Sequence, residues 1–217
     1  MFDALIKVGG SLCTYEADLR AAAAVWAALA ADYRLLLVPG GGPFADQVRA
    51  VNALVRLSDD AAHWMAVLAM DQYGYLLADV VPGAALVRSL DAAADACAAG
   101  RPPIFAPSTL LLQADPLPHS WDVTSDSLAA WLAGHAGVRR LVLLKAVAGL
   151  CHRDPRTGTL SLLREVPRHM VVGDDVVDPY FACALPPYTE CWIIDGRRPE
   201  RLAELLGRGQ TLGTRVV

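Results

Sequence analysis

The chain has 217 residues, 19 basic and 23 acidic side chains, a formal net charge of −4, and 54% apolar residues. That length buries one sizeable core and predicts a single domain over 1–217, while the acidic balance argues against a nucleic-acid surface. The apolar stretch 21–31 is too short to cross a bilayer. Five cysteines without a C-x-x-C pair read as reduced core thiols of a cytoplasmic protein. The first residues enter a strand with no basic leader, so no signal peptide is expected. Five scattered histidines lack the spacing of a structural zinc site, and none is expected to ligate a metal.

The first apolar run predicts a strand over 5–8. It carries Lys7 and leads into Gly9, Gly10 and Ser11. Adjacent glycines let the backbone turn tightly and aim N–H groups at an anion. Only one other lysine occurs, Lys145, and it ends the later run 141–144. A chain that otherwise uses arginine thus places a compact ammonium at the end of two buried strands, the edge where open α/β sheets hold ligands. Phosphate oxygens suit that charge.

A helix over 17–31 precedes a strand over 35–38. Gly40, Gly41 and Gly42 then open a helix over 43–53, with Pro43 in its first turn. Three glycines before a helix N-terminus form either a phosphate cradle or a tight turn. Gly40-x-Gly42-x-x-Ala45 also satisfies a dinucleotide fingerprint, with Asp59 and Asp60 downstream. Those acids open a helix rather than end a strand, and the glycines follow the second strand. No Walker-A pattern is present.

Arg56 precedes a helix over 59–78, capped by Ser58 or Asp59, whose apolar stripe Met65, Leu68, Met70 and Leu76 is expected in the core. Arg56 is either a solvated side chain or a bidentate grip on an anionic acceptor. His63, one turn in, is either packed or an acceptor contact. Strands over 84–87 and 104–106 flank a helix over 89–99. The run Trp121-Asp122-Val123-Thr124-Ser125-Asp126 opens a helix over 125–136, where Asp126 either caps the first turn or holds the lysines or a metal. Residues 151–164 read as a hairpin excursion. Asp174, Asp175 and Asp178 form an acidic run, either a solvated loop or a site for an amine or Mg²⁺. A strand over 191–194, a helix over 199–206 and a strand over 214–217 close the chain. Strands continuous in apolar residues and alternating with helices predict an α/β fold, a three-layer αβα sandwich on a mostly parallel sheet.

The ordered set Lys7-Val8-Gly9-Gly10-Ser11, Gly40-Gly41-Gly42, Ser125-Asp126 and Lys145-Ala146-Val147-Ala148-Gly149-Leu150 resembles the amino acid kinase superfamily, as does the ending from Ile193-Ile194-Asp195-Gly196 to Leu212-Gly213-Thr214. Stretches 58–79, 117–133 and Asp178-Pro179-Tyr180-Phe181 are similar to the branch that phosphorylates aminomethylfuran phosphates in methanofuran-type cofactor biosynthesis. The turn after the late strand reads Val147-Ala148-Gly149, where family members often carry an acid.

The resemblance implies an ATP-dependent kinase using Mg²⁺, a small phosphorylated acceptor and a homo-oligomer. It implies that Lys7 and Lys145 stabilise the transferring phosphoryl group, that Asp126 orients them, and that Gly9, Gly10, Ser11, Gly40, Gly41 and Gly42 bind phosphates. Arg56, His63 and Asp122 are assigned to the acceptor, and Ala146, Gly149 and Leu150 to the nucleotide. The acceptor part is roughly 1–120 and the nucleotide part roughly 121–217. Two other functions fit the same pattern: a kinase for an isoprenoid phosphate, a nucleoside monophosphate or an amino acid, or a non-catalytic nucleotide- or oxyanion-binding member.

Overall fold

The computed structural model describes residues 1–171 and 176–217. Among these residues eight strands form one sheet: β1 (Ala4–Val8), β2 (Leu35–Pro39), β3 (Ala85–Val87), β4 (Pro103–Phe105), β5 (Arg140–Lys145), β8 (Glu165–Val166), β9 (Glu190–Asp195) and β10 (Thr214–Val216). Their order is β3-β4-β2-β1-β5-β9-β10-β8. Six strands run parallel from β3 to β9, and β10 pairs antiparallel with β9. A separate hairpin, β6 (Cys151–Arg153) and β7 (Leu160–Leu162), matches the predicted excursion.

The chain winds outward from β1 in both directions, through β2 and β4 on one side and β5 and β9 on the other. This makes the carboxyl end of β1 a switch point, where loops diverge and leave a crevice.

Among the described residues, eight α-helices flank the sheet: α1 (Glu16–Leu29), α2 (Gly42–Val55), α3 (Asp59–Val80), α4 (Leu90–Ala98), α5 (Ser108–Ala114), α6 (Ser125–His135), α7 (Phe181–Ala184) and α8 (Glu200–Arg208). Side chains alternate along each strand, so one sheet builds two cores. Leu5, Leu36, Leu141, Leu143 and Ile193 pack with α4, α6 and α7. Ile6, Leu35, Leu37, Val142 and Ile194 pack with α1 and α8. The αβα sandwich is therefore as expected.

Two expectations need correction. Met70 is buried, but Met65 and Leu68 are 37% and 48% exposed. They share an outer stripe of α3 with Tyr75, opposite the face that supplies Val67, Met70 and Leu77 to the cores. A helix apolar on both faces gives no periodic signal that separates inside from outside. The cysteines are all free, but only Cys191 is buried; Cys151 and Cys183 are exposed. Short apolar flanks overstated their burial. Sequence periodicity also missed α5, α7 and β8, which are too short to accumulate a pattern.

Candidate active site

A cavity of about 390 Å³ opens at the carboxyl edge of β1 and β5, against α2, α3 and the start of α6. Strand alternation dictates its floor. Lys7 lies two residues after Leu5, and Lys145 two after Leu143, so both ammonium groups project on the α6 side of the sheet. Asp126, in the first turn of α6, meets both. Its Oδ1 is 2.8 Å from Lys7 Nζ and its Oδ2 is 2.5 Å from Lys145 Nζ. Lys7 and Asp126 are each 3% exposed.

Burial alone would raise the Asp126 carboxyl, but Lys7 and then Lys145 overcome it and hold the group below the ordinary carboxylate range. Burial pulls the Lys7 ammonium below its usual value, with Asp126 opposing and Lys145 adding to the fall.

Asp126 is free to face the lysines because other groups cap the helix. Thr124 Oγ1 accepts from the Asp126 amide at 3.4 Å. Asp178 Oδ2 accepts from the Thr124 amide at 2.9 Å, the Thr124 hydroxyl at 2.7 Å and the Ser127 amide at 3.0 Å, and Ser127 Oγ donates to Oδ1. Asp178 is buried. The solvated-loop expectation fails for it, and it acts as an anchor on the positive end of α6. Asp174 and Asp175 lie outside the described residues.

The two glycine loops interlock above this floor. A Cβ on Gly10 would lie 2.3 Å from the Gly42 nitrogen, and one on Gly9 would lie 2.4 Å from the Leu144 carbonyl oxygen. Only glycine lets these backbones approach so closely. Gly42 opens α2 at φ 55, with Pro43 second in its first turn, and the helix N-terminus borders the cavity.

Lys7, Gly9, Gly10, Ser11, Gly41, Gly42, His63, Asp126 and Lys145 all line the cavity. Gly40 is buried just behind, its amide donating to Val8 at 2.8 Å. Three groups of expected site residues are not brought to this cavity. Arg56 is an exposed C-cap of α2 at φ 50. Asp122 is exposed, and its carbonyl accepts from the Tyr180 amide at 3.2 Å. Ala146, Gly149 and Leu150 follow β5 toward β10, where the Leu150 amide donates to Thr214 Oγ1 at 2.8 Å.

Sequence reasoning missed the side chains at the far end: Asp46 and Arg49 on α2, Asp59 on α3, and Ser120 and Trp121 before α6. Arg49 pairs with Asp46 at 2.8 Å and lies over the Trp121 ring at 5.1 Å. The available signal was position, since Arg49 lies two helical turns beyond Gly42 on the same helix. The arrangement offers two ammonium groups and backbone N–H groups at one end, and an arginine among carboxylates at the other. That is a site for charge neutralisation at phosphates.

A model of the amino acid kinase family matches residues 4–168. The [5-(aminomethyl)furan-3-yl]methyl phosphate kinase of Methanocaldococcus jannaschii is 28% identical over 98% of this chain and 97% of its own. Among solved structures, the uridylate kinase of Archaeoglobus fulgidus has the same fold at TM-score 0.75, 19% identity and full coverage of both chains. An isopentenyl phosphate kinase in a substrate complex follows at TM-score 0.63 and 17% identity, covering 99% of this chain and 100% of its own. The chain belongs to the amino acid kinase family and is an ATP-dependent phosphotransferase.

Proposed function

We propose that the chain transfers the γ-phosphoryl group of ATP to the phosphate of [5-(aminomethyl)furan-3-yl]methyl phosphate, giving a diphosphate. The observation that carries this reading is Asp126 held between Lys7 and Lys145, below two interlocked glycine loops, in a cavity whose other end carries an arginine and two carboxylates. Similarity to the furan phosphate kinase over nearly the whole chain supports the choice of acceptor.

In this mechanism an acceptor phosphate oxygen attacks the γ-phosphorus. A new P–O bond forms, the bond to the β-bridging oxygen breaks, and ADP leaves with the electron pair. A phosphate is ionised at neutral pH, so no general base is needed. Asp126 is unsuited to that role because both its oxygens face ammonium groups. One carboxylate between two ammonium groups leaves a net positive charge beside the transferring group. Lys7, Lys145 and the loop amides stabilise charge that spreads over the phosphoryl oxygens. At the helix end Asp46 or Asp59 receives the acceptor's ammonium, while Arg49 and His63 line the wall around its furan ring.

The nucleotide belongs to residues 121–217, with the segment 146–150 against it. Mg²⁺, when bound with the nucleotide, would supply charge neutralisation at its phosphates. Among the described residues no group of three or more His, Cys, Asp or Glu could hold a metal ion.

We also infer a homo-oligomer that pairs the outer stripes of α3. Met65, Leu68 and Tyr75 lie along one helix face, so a twofold axis would set the stripe against its own copy. No described helix is long and apolar enough to cross a membrane.

The test supplies ATP with the furan phosphate, uridine monophosphate or isopentenyl phosphate in turn and detects products by mass spectrometry. A diphosphate formed fastest from the furan phosphate is the expected result. Preferential turnover of either other acceptor would reassign the substrate, and no turnover of any would remove the proposal.

A further inference from the structure

His119 heads the segment that brings Ser120 and Trp121 to the cavity, yet it does not line the cavity itself. Its Nδ1 is 2.6 Å from Asp60 Oδ1 and its Nε2 is 2.8 Å from Asp115 Oδ1. An ionised carboxylate only accepts hydrogen bonds, so both ring nitrogens must donate, and the ring is an imidazolium. Asp60 sits in the first turn of α3. Asp115 caps the end of α5 in a left-handed conformation at φ 41. One ring thus ties two helices to the cavity wall.

The same ring stacks on His63, with centroids 4.2 Å apart and planes 18° from parallel. Trp64 meets both rings edge-on, at 4.9 Å and 5.1 Å. His63 is buried and does line the cavity. Burial lowers its proton affinity first, and the stacked His119 cation lowers it further, against opposition from Asp115 and Asp60. His63 therefore presents a neutral imidazole to the cavity, with one nitrogen donating and the other accepting.

We propose that His119 is a positioning residue for the acceptor: clamped between Asp60 and Asp115, it pins the Ser120–Trp121 wall to α3 and holds the stacked His63 ring toward the bound acceptor. The inference rests on the kinase reading for the identity of the acceptor. The clamp itself is a property of the free protein.

The charged groups acting on the pair are Asp60 from α3 and Asp115 from the end of α5, with each histidine facing the other. Hydrogen bonds to Asp60 and then Asp115 raise His119 above the ordinary histidine value. A raised value means that the clamp is complete below the ordinary histidine pKa and is lost as pH climbs through the raised one. Acceptor affinity should hold through neutral pH and weaken on the alkaline side, with ATP affinity unaffected.

The experiment has two arms. The first follows the imidazole rings of the substrate-free protein by NMR across pH. His119 should titrate above the ordinary histidine value and His63 below it, and Asp115→Asn should bring His119 down. The second is steady-state kinetics of wild type, His119→Ala and Asp115→Asn, using whichever acceptor of the panel is turned over. At neutral pH the variants should raise the acceptor KM about tenfold, with kcat and the ATP KM within about twofold, and should lose the alkaline rise in KM. A His119 ring that titrates at the ordinary value overturns the proposal. So does an unchanged acceptor KM in both variants, or an equal loss in the ATP KM. If the furan phosphate fails and another acceptor works, the substrate assignment falls, while both arms still decide on the clamp.

Discussion

The two ends of the cavity are held by different means. At the sheet end, Lys7, Asp126 and the glycine loops are fixed by buried backbone, a capped helix and paired charges. At the helix end, Asp46, Arg49 and Asp59 are exposed side chains on α2 and α3, held by one ion pair and one contact with Trp121. Buried charges off by a small distance lose their function, whereas exposed pairs contribute little stability and adjust freely. Under the proposed function, the sheet end fixes the chemistry and the helix end selects the acceptor.

The largest break in this contrast is Asp126→Asn. It leaves two ammonium groups without their counter-charge, one of them fully enclosed. Stability should fall by about 3–5 kcal/mol, read by chemical denaturation, and turnover with it. The pH dependence follows from the depressed carboxyl. The stabilisation by Asp126 is fully present above the ordinary carboxylate value and lost as pH falls through its lower folded value. Wild type should therefore lose stability in acid over a window that the variant lacks. A variant as stable and active as wild type would show that the carboxylate does not organise the sheet end.

Lys7→Arg and Lys145→Arg keep the charge but change its shape. A planar guanidinium cannot replace a compact ammonium at a crowded phosphoryl group. Each should lower kcat about 100- to 1000-fold, the loss typical of one transition-state charge contact. Lys7→Arg should also cost about 1–3 kcal/mol of stability by overpacking a buried position, which Lys145→Arg, at a less enclosed strand end, should largely escape. Near-wild-type turnover in both would detach the lysines from the chemistry.

Gly10→Ala comes next. Its new methyl would meet the Gly42 backbone at 2.3 Å, and backbone cannot move aside as a side chain can. Turnover should fall about tenfold or more through displaced loop amides, with the ATP KM raised. An unaffected ATP KM would mean that the interlocked loops do not cradle the nucleotide phosphates.

This contrast also explains what the sequence could tell. Lys7, Lys145 and the glycine runs were legible because buried strands read as continuous apolar runs, and a polar residue ending one is conspicuous. Asp126 was legible as a first-turn residue, but not its freedom from capping, since Asp178 lies far along the chain and meets α6 only in the folded state. Arg49 and Trp121 converge from α2 and a separate loop, and no local spacing announces that meeting. The outward turn of Met65 and Leu68 was hidden because α3 is apolar on both faces.

At the helix end, Arg49→Ala should raise the acceptor KM about tenfold while leaving kcat and the ATP KM nearly unchanged, because a contact made equally in ground and transition states affects binding alone. Its exposed pair with Asp46 predicts a stability change within about 0.5 kcal/mol. A fall in kcat with an unchanged acceptor KM would move Arg49 to the reacting end and erase the proposed division of labour.

The smallest effect belongs to Arg56, which tests where the helix end stops. The side chain is exposed and does not line the cavity, so Arg56→Gly should leave the acceptor KM within about twofold of wild type. Its backbone predicts a gain instead. Arg56 ends α2 at φ 50, a left-handed conformation that costs an L-residue about 1–2 kcal/mol and glycine almost nothing. Glycine surrenders part of that gain because its unfolded chain is freer, by roughly 0.5–1 kcal/mol. The net should be a stabilisation of up to about 1 kcal/mol, read as a higher denaturation midpoint at an unchanged slope. A raised acceptor KM in this variant would extend the acceptor site beyond α2 and return Arg56 to it, whereas a gain in stability with unaltered kinetics would place its contribution in the turn between α2 and α3.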